Sequence, residues 1–313
     1  MKAIQIDRYG GPEELHYRDV PEPKAAAGQI LIEVHAASVN PGDIKVRKGL
    51  RPEFLQDGGF PHTMGRDFSG VVLEAGAGVS DFKIGDAVFG ILAHGKEGAQ
   101  AERIAISAEL ATLKPVALSH AEAVSVALTG LTALYAVEDS AAVKKGETIL
   151  IHGGSGGIGT FAIQYCKSVG AKVYTTASAR KHEYVKKLGA DVAIDYHTQD
   201  FTKLVPPCDI VIDMFGGDEQ MRSLGVLKSG GRIVSIAPSV SAIQGVRADI
   251  TVLRPMVARD RKHVERIAEL VANGSVRPPP ITRMKMSEAR AAHELMESGK
   301  LQGKIVYEVK PEK

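Results

Sequence analysis

Tryptophan is absent from this chain and cysteine nearly so: Cys166 and Cys208 stand alone and far apart. Two thiols build no disulfide framework, and reduced, buried side chains in a cytoplasmic protein are the expectation. An excess of one charge is lacking too. Lys and Arg number 39 against 37 Asp and Glu, a formal net charge of +2 that offers no case for nucleic acid or an anionic membrane surface as a partner. No apolar run reaches the roughly 20 residues that a bilayer span requires. The opening MKAIQIDRYGG enters a strand-like alternation directly, without a basic leader and apolar signal core. Internal repeats, low-complexity tails and long flexible linkers are missing as well. What is present is length: 313 residues suffice for two domains, each with its own core.

Glycine supplies the first positive signal. Gly153, Gly154, Ser155, Gly156, Gly157, Ile158 and Gly159 follow the apolar run GETILIHG and precede the amphipathic TFAIQYCKSVG. That order predicts a strand, a tight glycine turn and a helix whose first N–H groups face a ligand, an arrangement suited to pyrophosphate. The spacing is not the strict G-x-G-x-x-G form, and a plain glycine turn is the competing reading. Lys172–Thr176 then reads as the second strand of a βαβ unit. An NAD site expects an acid beyond it, but Ser178, Arg180 and Lys181 come first and no acid appears before Glu183. A hydroxyl and two cations suit an extra phosphate and point to NADPH. Alternatively, Arg180 and Lys181 merely open a solvated helix.

The alternation continues through ADVAIDY, CDIVIDMFGG, a helix through Gln220–Leu227 and GGRIVSIA, which predicts a parallel α/β sheet with ligands at its carboxyl ends. Phe215, Gly216 and Gly217 fall just past one such end, where the backbone can lie against the middle of the cofactor. Tyr196, ending ADVAIDY, faces either adenosine or the packed interior.

Residues up to about Thr112 differ in texture: short alternating segments punctuated by Gly, Pro, Asn and Asp predict a β-rich, barrel-like region. SHAEAVSVALTGLTALYAVED is an apolar helical connector in which Thr129, Gly130 and Thr132 face a cleft or simply pack. RKHVERIAELVANG is an amphipathic helix with Asn273 and Gly274 as its stop, SEARAAHELMESG is another, and KIVYEV is a final strand. The tail is expected to return to the β-rich part. The resulting division is 1–118, completed by roughly 275–313, and 119–274.

These motifs together resemble one family. Val39 to Lys45 with Arg47 and Gly49, GRDFSGVV at 65–72, GVSDFKIGDAVFG at 78–90, LTGLTALYAV at 128–137, the glycine turn, KKLGAD at 186–191 and LKSGGRIVSI at 227–236 are similar to the medium-chain dehydrogenase/reductases, in their zinc-free quinone oxidoreductase-like and enone reductase-like branch. The resemblance implies a Rossmann-type parallel-sheet domain plus a GroES-like β-rich catalytic domain, a substrate cleft between them, and a homodimer. Where zinc-using relatives carry a cysteine ligand this chain has Ala-Ser-Val-Asn at 37–40, and where they carry Gly-His-Glu it has Gly65, Arg66 and Asp67. A catalytic zinc needs three protein ligands and an open position; His62 and Asp67 do not make such a set, and no metal is expected.

Without a Lewis acid, hydride addition to an activated C=C of an α,β-unsaturated carbonyl is the favoured reaction, with a quinone as the alternative acceptor. Asn40 and Lys45 are candidates to donate toward the developing oxygen or the nicotinamide ribose, and Asp43 to orient Lys45 or Arg47. The competing reading makes Asn40, Pro41 and Asp43 a turn and Lys45 a solvated side chain. Arg51, Phe54 and Phe60 lie in a loop suited to a cleft wall; where the resemblance to quinone reductases implies tyrosines, this chain has none between Tyr17 and Tyr135, a departure that tilts the reading from small quinones toward enones, although Phe can also build an aromatic wall. Two further classes stand open: an NADPH-binding sensor with weak catalysis, and an enoyl reductase for carrier-bound thioesters docking on Arg259, Arg261, Lys262 and Arg266, a run that otherwise reads as the wet face of a helix.

Overall fold

The structure is a computed structural model that describes residues 1–55, 59–96, 98–236 and 246–311. Positions 56–58 of the expected cleft-wall loop lie outside the described residues. The chain groups into two units, Met1–Leu128 with Ala258–Ala272 and Pro278–Lys313, and Thr129–Val257 with Asn273–Arg277.

In the second unit short apolar runs such as TILI and CDIVID are buried on both faces, and they pair in parallel as such runs require. The six-stranded sheet runs Val192–Ile194, Lys172–Thr176, Thr148–Ile151, Cys208–Asp213, Leu227–Ser235, Thr251–Leu253, parallel throughout. From Thr148–Ile151 the chain builds outward to one edge and then returns to lay Cys208–Asp213 on the other side. The order therefore reverses between these two strands, which is where open α/β sheets bind ligands. Leu150, Tyr174, Ile194, Val211 and Ile233 fill one face.

The first unit holds a small antiparallel sheet, His16–Asp19, Lys2–Ile6, His62–Thr63, and a larger one in the order Ile281–Met284, Lys304–Glu308, Gln29–Val39, Asp67–Ala75, Ala87–Ile91, Ala111–Leu113. Arg103–Ser107 pairs with the first half of Gln29–Val39. Alternating burial along Gln29–Val39 puts Ile30, Ile32 and Val34 into a core with Phe68, Val72 and Val88. A seven-residue helix, α1 (Pro41–Arg47), follows this strand, and α2 (His120–Leu134) leads to a wider helical stretch, Tyr135–Ser140.

Three expectations need adjustment. The helix placed at 220–227 is Gly217–Ser223 followed by a tight turn, Leu224–Val226, because the apolar strand pattern resumes at Leu227. The amphipathic helix Arg261–Ala272 forms, but it groups with the first unit, whereas a boundary at 274 assigns it to the nucleotide fold: Arg261 pairs with Asp81 at 2.5 Å and donates to the Ala108 carbonyl at 2.7 Å, and Arg259 donates to the Leu92 carbonyl at 3.0 Å. Finally, His120–Ser140 does reach membrane-spanning length and hydropathy. It is 78% buried within the protein, the mark of a core helix.

Candidate functional site

At the carboxyl end of Thr148–Ile151 the glycine turn leads into α3 (Gly157–Val169), with Gly156 as its N-cap. Gly153 takes φ +72, and its N–H donates to Thr176 Oγ1 at 3.1 Å while the Gly154 N–H donates to the Thr176 carbonyl at 3.0 Å. A Cβ on Gly154 would run into Thr175 Oγ1, and one on Gly159 into the Gly153 carbonyl oxygen. These glycines let the helix sit directly on the turn. Gly156 is different, since a Cβ there meets nothing nearer than 3.6 Å. The N-terminus of a 13-residue helix thus presents an open backbone face, with Ser155 buried beneath it and Gly157 and Ile158 half-buried.

Next to the end of Lys172–Thr176, Ser178 is 9% exposed and its hydroxyl has no hydrogen-bond partner among the described residues. Arg180 beside it is exposed, and Lys181 is buried, its pKa lowered by burial and by Arg180. An orphaned hydroxyl flanked by two cations fits a phosphate. Phe215, 63% exposed, lies where a Cβ on Gly153 would be, 2.9 Å from its Cζ, so the ring covers the turn. Asp213 holds that segment by accepting from the N–H groups of Phe215 at 3.0 Å and Gly216 at 3.1 Å. Tyr196 stands two residues beyond its strand, 53% exposed, with its ring on His197. Thr129 is buried in α2.

Sequence reasoning missed the support under this turn. His152, whose pKa burial lowers to about 4, places Nε2 2.8 Å from Ser223 Oγ and Nδ1 3.3 Å from Thr176 Oγ1. Ser223 in turn donates to the Glu219 carbonyl at 2.7 Å, and His152 Nδ1 also lies 3.4 Å from Glu219 Oε1.

The first unit carries a second polar assembly. Asn40 caps α1 with Pro41 at the first helical position, and Asp43 Oδ2 accepts from the Asn40 N–H at 2.8 Å. The Asn40 amide is wholly engaged: Nδ2 donates to Ser38 Oγ at 3.1 Å and Asp67 Oδ1 at 3.0 Å, and Oδ1 accepts from Lys304 Nζ at 2.6 Å. Asp67 also accepts from Ser38 Oγ at 2.7 Å. Arg66, its neighbour at the strand start, turns the other way, toward Asp43 (Nε to Oδ1, 3.4 Å) and the Phe54 ring, whose centre is 4.5 Å from the guanidinium. Burial pushes the Asp43 carboxyl up to about 6 despite Arg66. Lys45 is half-buried on α1, its pKa lowered by burial and by Arg51 and Arg66.

Residues 188–306 match the zinc-binding dehydrogenase family and residues 26–144 the alcohol dehydrogenase GroES-like domain family. The chain is 34% identical to 2-methylene-furan-3-one reductase from Solanum lycopersicum, over 98% of this chain and 78% of the relative. The quinone oxidoreductase from Coxiella burnetii superposes with a TM-score of 0.92 at 38% identity, over 99% of both chains. Escherichia coli quinone oxidoreductase complexed with NADPH superposes with a TM-score of 0.89 at 28% identity, over 99% of this chain and 100% of that one. The chain belongs to the medium-chain dehydrogenase/reductase family.

Within the medium-chain dehydrogenase/reductases it falls in the zinc-independent quinone oxidoreductase and enoyl reductase branch, with a Rossmann-type domain and a GroES-like domain. Among the described residues no three His, Cys, Asp or Glu side chains gather as metal ligands. Asn40, Asp43 and Lys45 do lie together around α1, but with distinct surroundings. Asn40 ties the strand end to Lys304 rather than presenting a donor, Asp43 faces Arg66 rather than Lys45 or Arg47, and Lys45 has cations for neighbours. Arg47 instead pairs with Glu297 at 2.8 Å. Lys304 gave no sequence signal, being 264 residues from Asn40.

Proposed function

We propose that the protein is an NADPH-dependent reductase of α,β-unsaturated carbonyl compounds. The observation that carries this reading is the open face of Gly156 at the α3 N-terminus, with the unpartnered Ser178 hydroxyl and the Arg180 and Lys181 cations nearby. The glycine turn would hold the pyrophosphate on backbone N–H groups, and Ser178, Arg180 and Lys181 the additional phosphate. Bound NADPH supplies a hydride that adds to the β-carbon of the enone. The C=C pair would shift into a new bond between the α-carbon and the carbonyl carbon as the C=O pair moves onto oxygen, and proton transfer from water to the α-carbon of that enolate would give the saturated ketone and hydroxide. Lys45, flanked by Arg51 and Arg66, brings positive potential to that oxygen, while Asn40 and Asp43 hold α1 in place.

The tomato relative supports an enone acceptor; the Coxiella relative favours a quinone as the second reading. The same reading takes the working form as a cytoplasmic homodimer, which sedimentation and cell fractionation test. The deciding experiment follows NADPH oxidation with a small enone, a quinone and NADH controls, for wild type and for Arg180→Ala/Lys181→Ala. Enone turnover that prefers NADPH, with the preference falling in the double variant, is expected. Turnover with quinone alone moves the assignment to quinone oxidoreductase, and binding without turnover with either acceptor overturns it.

A further inference from the structure

Arg66 is only 7% exposed, yet its Nε and Nη2 have no hydrogen-bond acceptor among the described residues. These two atoms form one edge of the guanidinium, the fork that binds a planar carboxylate with two parallel hydrogen bonds. A buried guanidinium edge left without acceptors is costly, so its retention calls for a ligand. Asp43 Oδ1 approaches Nε to 3.4 Å without a hydrogen bond and is occupied through its other oxygen by the Asn40 N–H.

The surroundings fit an anion. A Cβ on Gly42 would stand 2.5 Å from Arg66 Nη1, so the guanidinium lies flat on the first turn of α1. Its other side rests on Phe54, which Arg51 also covers at 4.8 Å and which stacks on His94 at 5.1 Å. Arg51 is paired with Glu53 at 2.7 Å and Arg66 faces Asp43, whereas Lys45 has no carboxylate partner among the described residues. Among the described residues the cluster therefore holds one cation more than it holds carboxylates, beside an aromatic wall.

We propose that the free edge of Arg66, with Lys45 and Arg51 around it, binds a carboxylate carried by the substrate, so that the substrates are enones that are also carboxylic acids. The anion site stands on geometry alone; its description as a substrate site rests on the reductase reading. The test compares (E)-4-oxo-2-pentenoate with its methyl ester in NADPH-oxidation assays of wild type, Arg66→Met and Arg66→Lys. Titration calorimetry with 4-oxopentanoate, the saturated product, reads binding without turnover.

Wild type is expected to favour the acid in kcat/KM by roughly 10- to 100-fold, the range for hydrogen bonds to a charged group. Arg66→Met brings that ratio near one, and Arg66→Lys restores part of it. A variant that unfolds would also lower both rates and leave the ratio intact, so circular dichroism and the melting temperature must match wild type before a surviving ratio or an equal fall is read, and Arg66→Lys serves where Arg66→Met does not fold. Equal use of acid and ester by wild type, or an acid preference that survives Arg66→Met, overturns the proposal. An equal fall in kcat for both substrates in Arg66→Met does so too, assigning the edge to the developing enolate oxygen. If neither enone is reduced while 4-oxopentanoate binds wild type and not Arg66→Met, the reductase reading falls and the anion site stands. Absence of both turnover and binding overturns the two together.

Discussion

The backbone of Gly159 faces the Gly153 carbonyl so closely that no side chain fits between them, and a Cβ at 159 would also lie 2.6 Å from Gly154 Cα. Gly159→Ala is expected to force the turn open, destabilise the protein by about 1–3 kcal/mol and weaken NADPH binding at least in proportion. Gly156→Ala is the contrasting variant, with an ordinary 3.6 Å contact and an allowed backbone at φ −81. It should melt like wild type but bind NADPH more weakly, because its methyl group fills the face meant for the ligand. Thermal melts with and without NADPH separate the two. Equal affinity for wild type and Gly156→Ala would place the pyrophosphate elsewhere.

Lys304 is buried with its ammonium donating to Asn40 Oδ1 and, at 3.0 Å, to the Val39 carbonyl. Lys304→Met removes these donors and leaves the buried Asp67 carboxylate short of a nearby positive charge. Breaking a buried charge network from one side costs about 3 kcal/mol. Urea unfolding followed by circular dichroism reads the change, and a loss below about 1 kcal/mol would show the network to be dispensable.

The Asp43 carboxyl titrates near 6 in the folded chain against an ordinary 3.8, chiefly because burial disfavours its charge. The folded state thus holds this proton more tightly than the unfolded state. Its contribution to stability is fully present below about 3.8 and is lost as pH rises through about 6. Asp43→Asn removes that term, so the stability of wild type relative to the variant should decline from pH 4 to pH 7, by on the order of 3 kcal/mol. Asp7, Asp19 and Glu33, whose pKa values are lowered by partners, slope the opposite way in both proteins and cancel in the difference. A flat difference would mean Asp43 is solvated.

Both cysteines are buried, and burial raises their pKa values, Cys208 to about 12 and Cys166 further. Neither should react with a disulfide reagent such as DTNB in the native protein, and both should in urea. A thiol titrating promptly under native conditions contradicts this packing.

Much of the nucleotide fold was legible in the sequence because its signals are local. Lys172–Thr176 is read as a strand by its β-branched content, and the turn at 153–159 by glycines that the collisions at Gly154 and Gly159 explain. Partnership was less legible. The amphipathic pattern of Arg261–Ala272 says that one face is buried but not against what, and Arg261 finds Asp81 across 180 residues. Asn40 looked like a free donor because Ser38, Asp67 and Lys304, which consume its amide, come from three separate strands. Arg66 attracted notice as a replaced metal ligand, yet only its burial and its unpaired edge show what the replacement offers.

The strand Lys304–Glu308 lies in the large sheet between Gln29–Val39 and Ile281–Met284, with Val306 opposite Ser38. During synthesis the first half of this unit must wait for its last strand. A ribosome that has made 300 residues has delivered every strand of the nucleotide-binding sheet, but not the lysine that closes the Asn40–Asp67 network. The parallel sheet can therefore form early, while the β-rich unit completes itself only once Lys304–Glu308 has emerged.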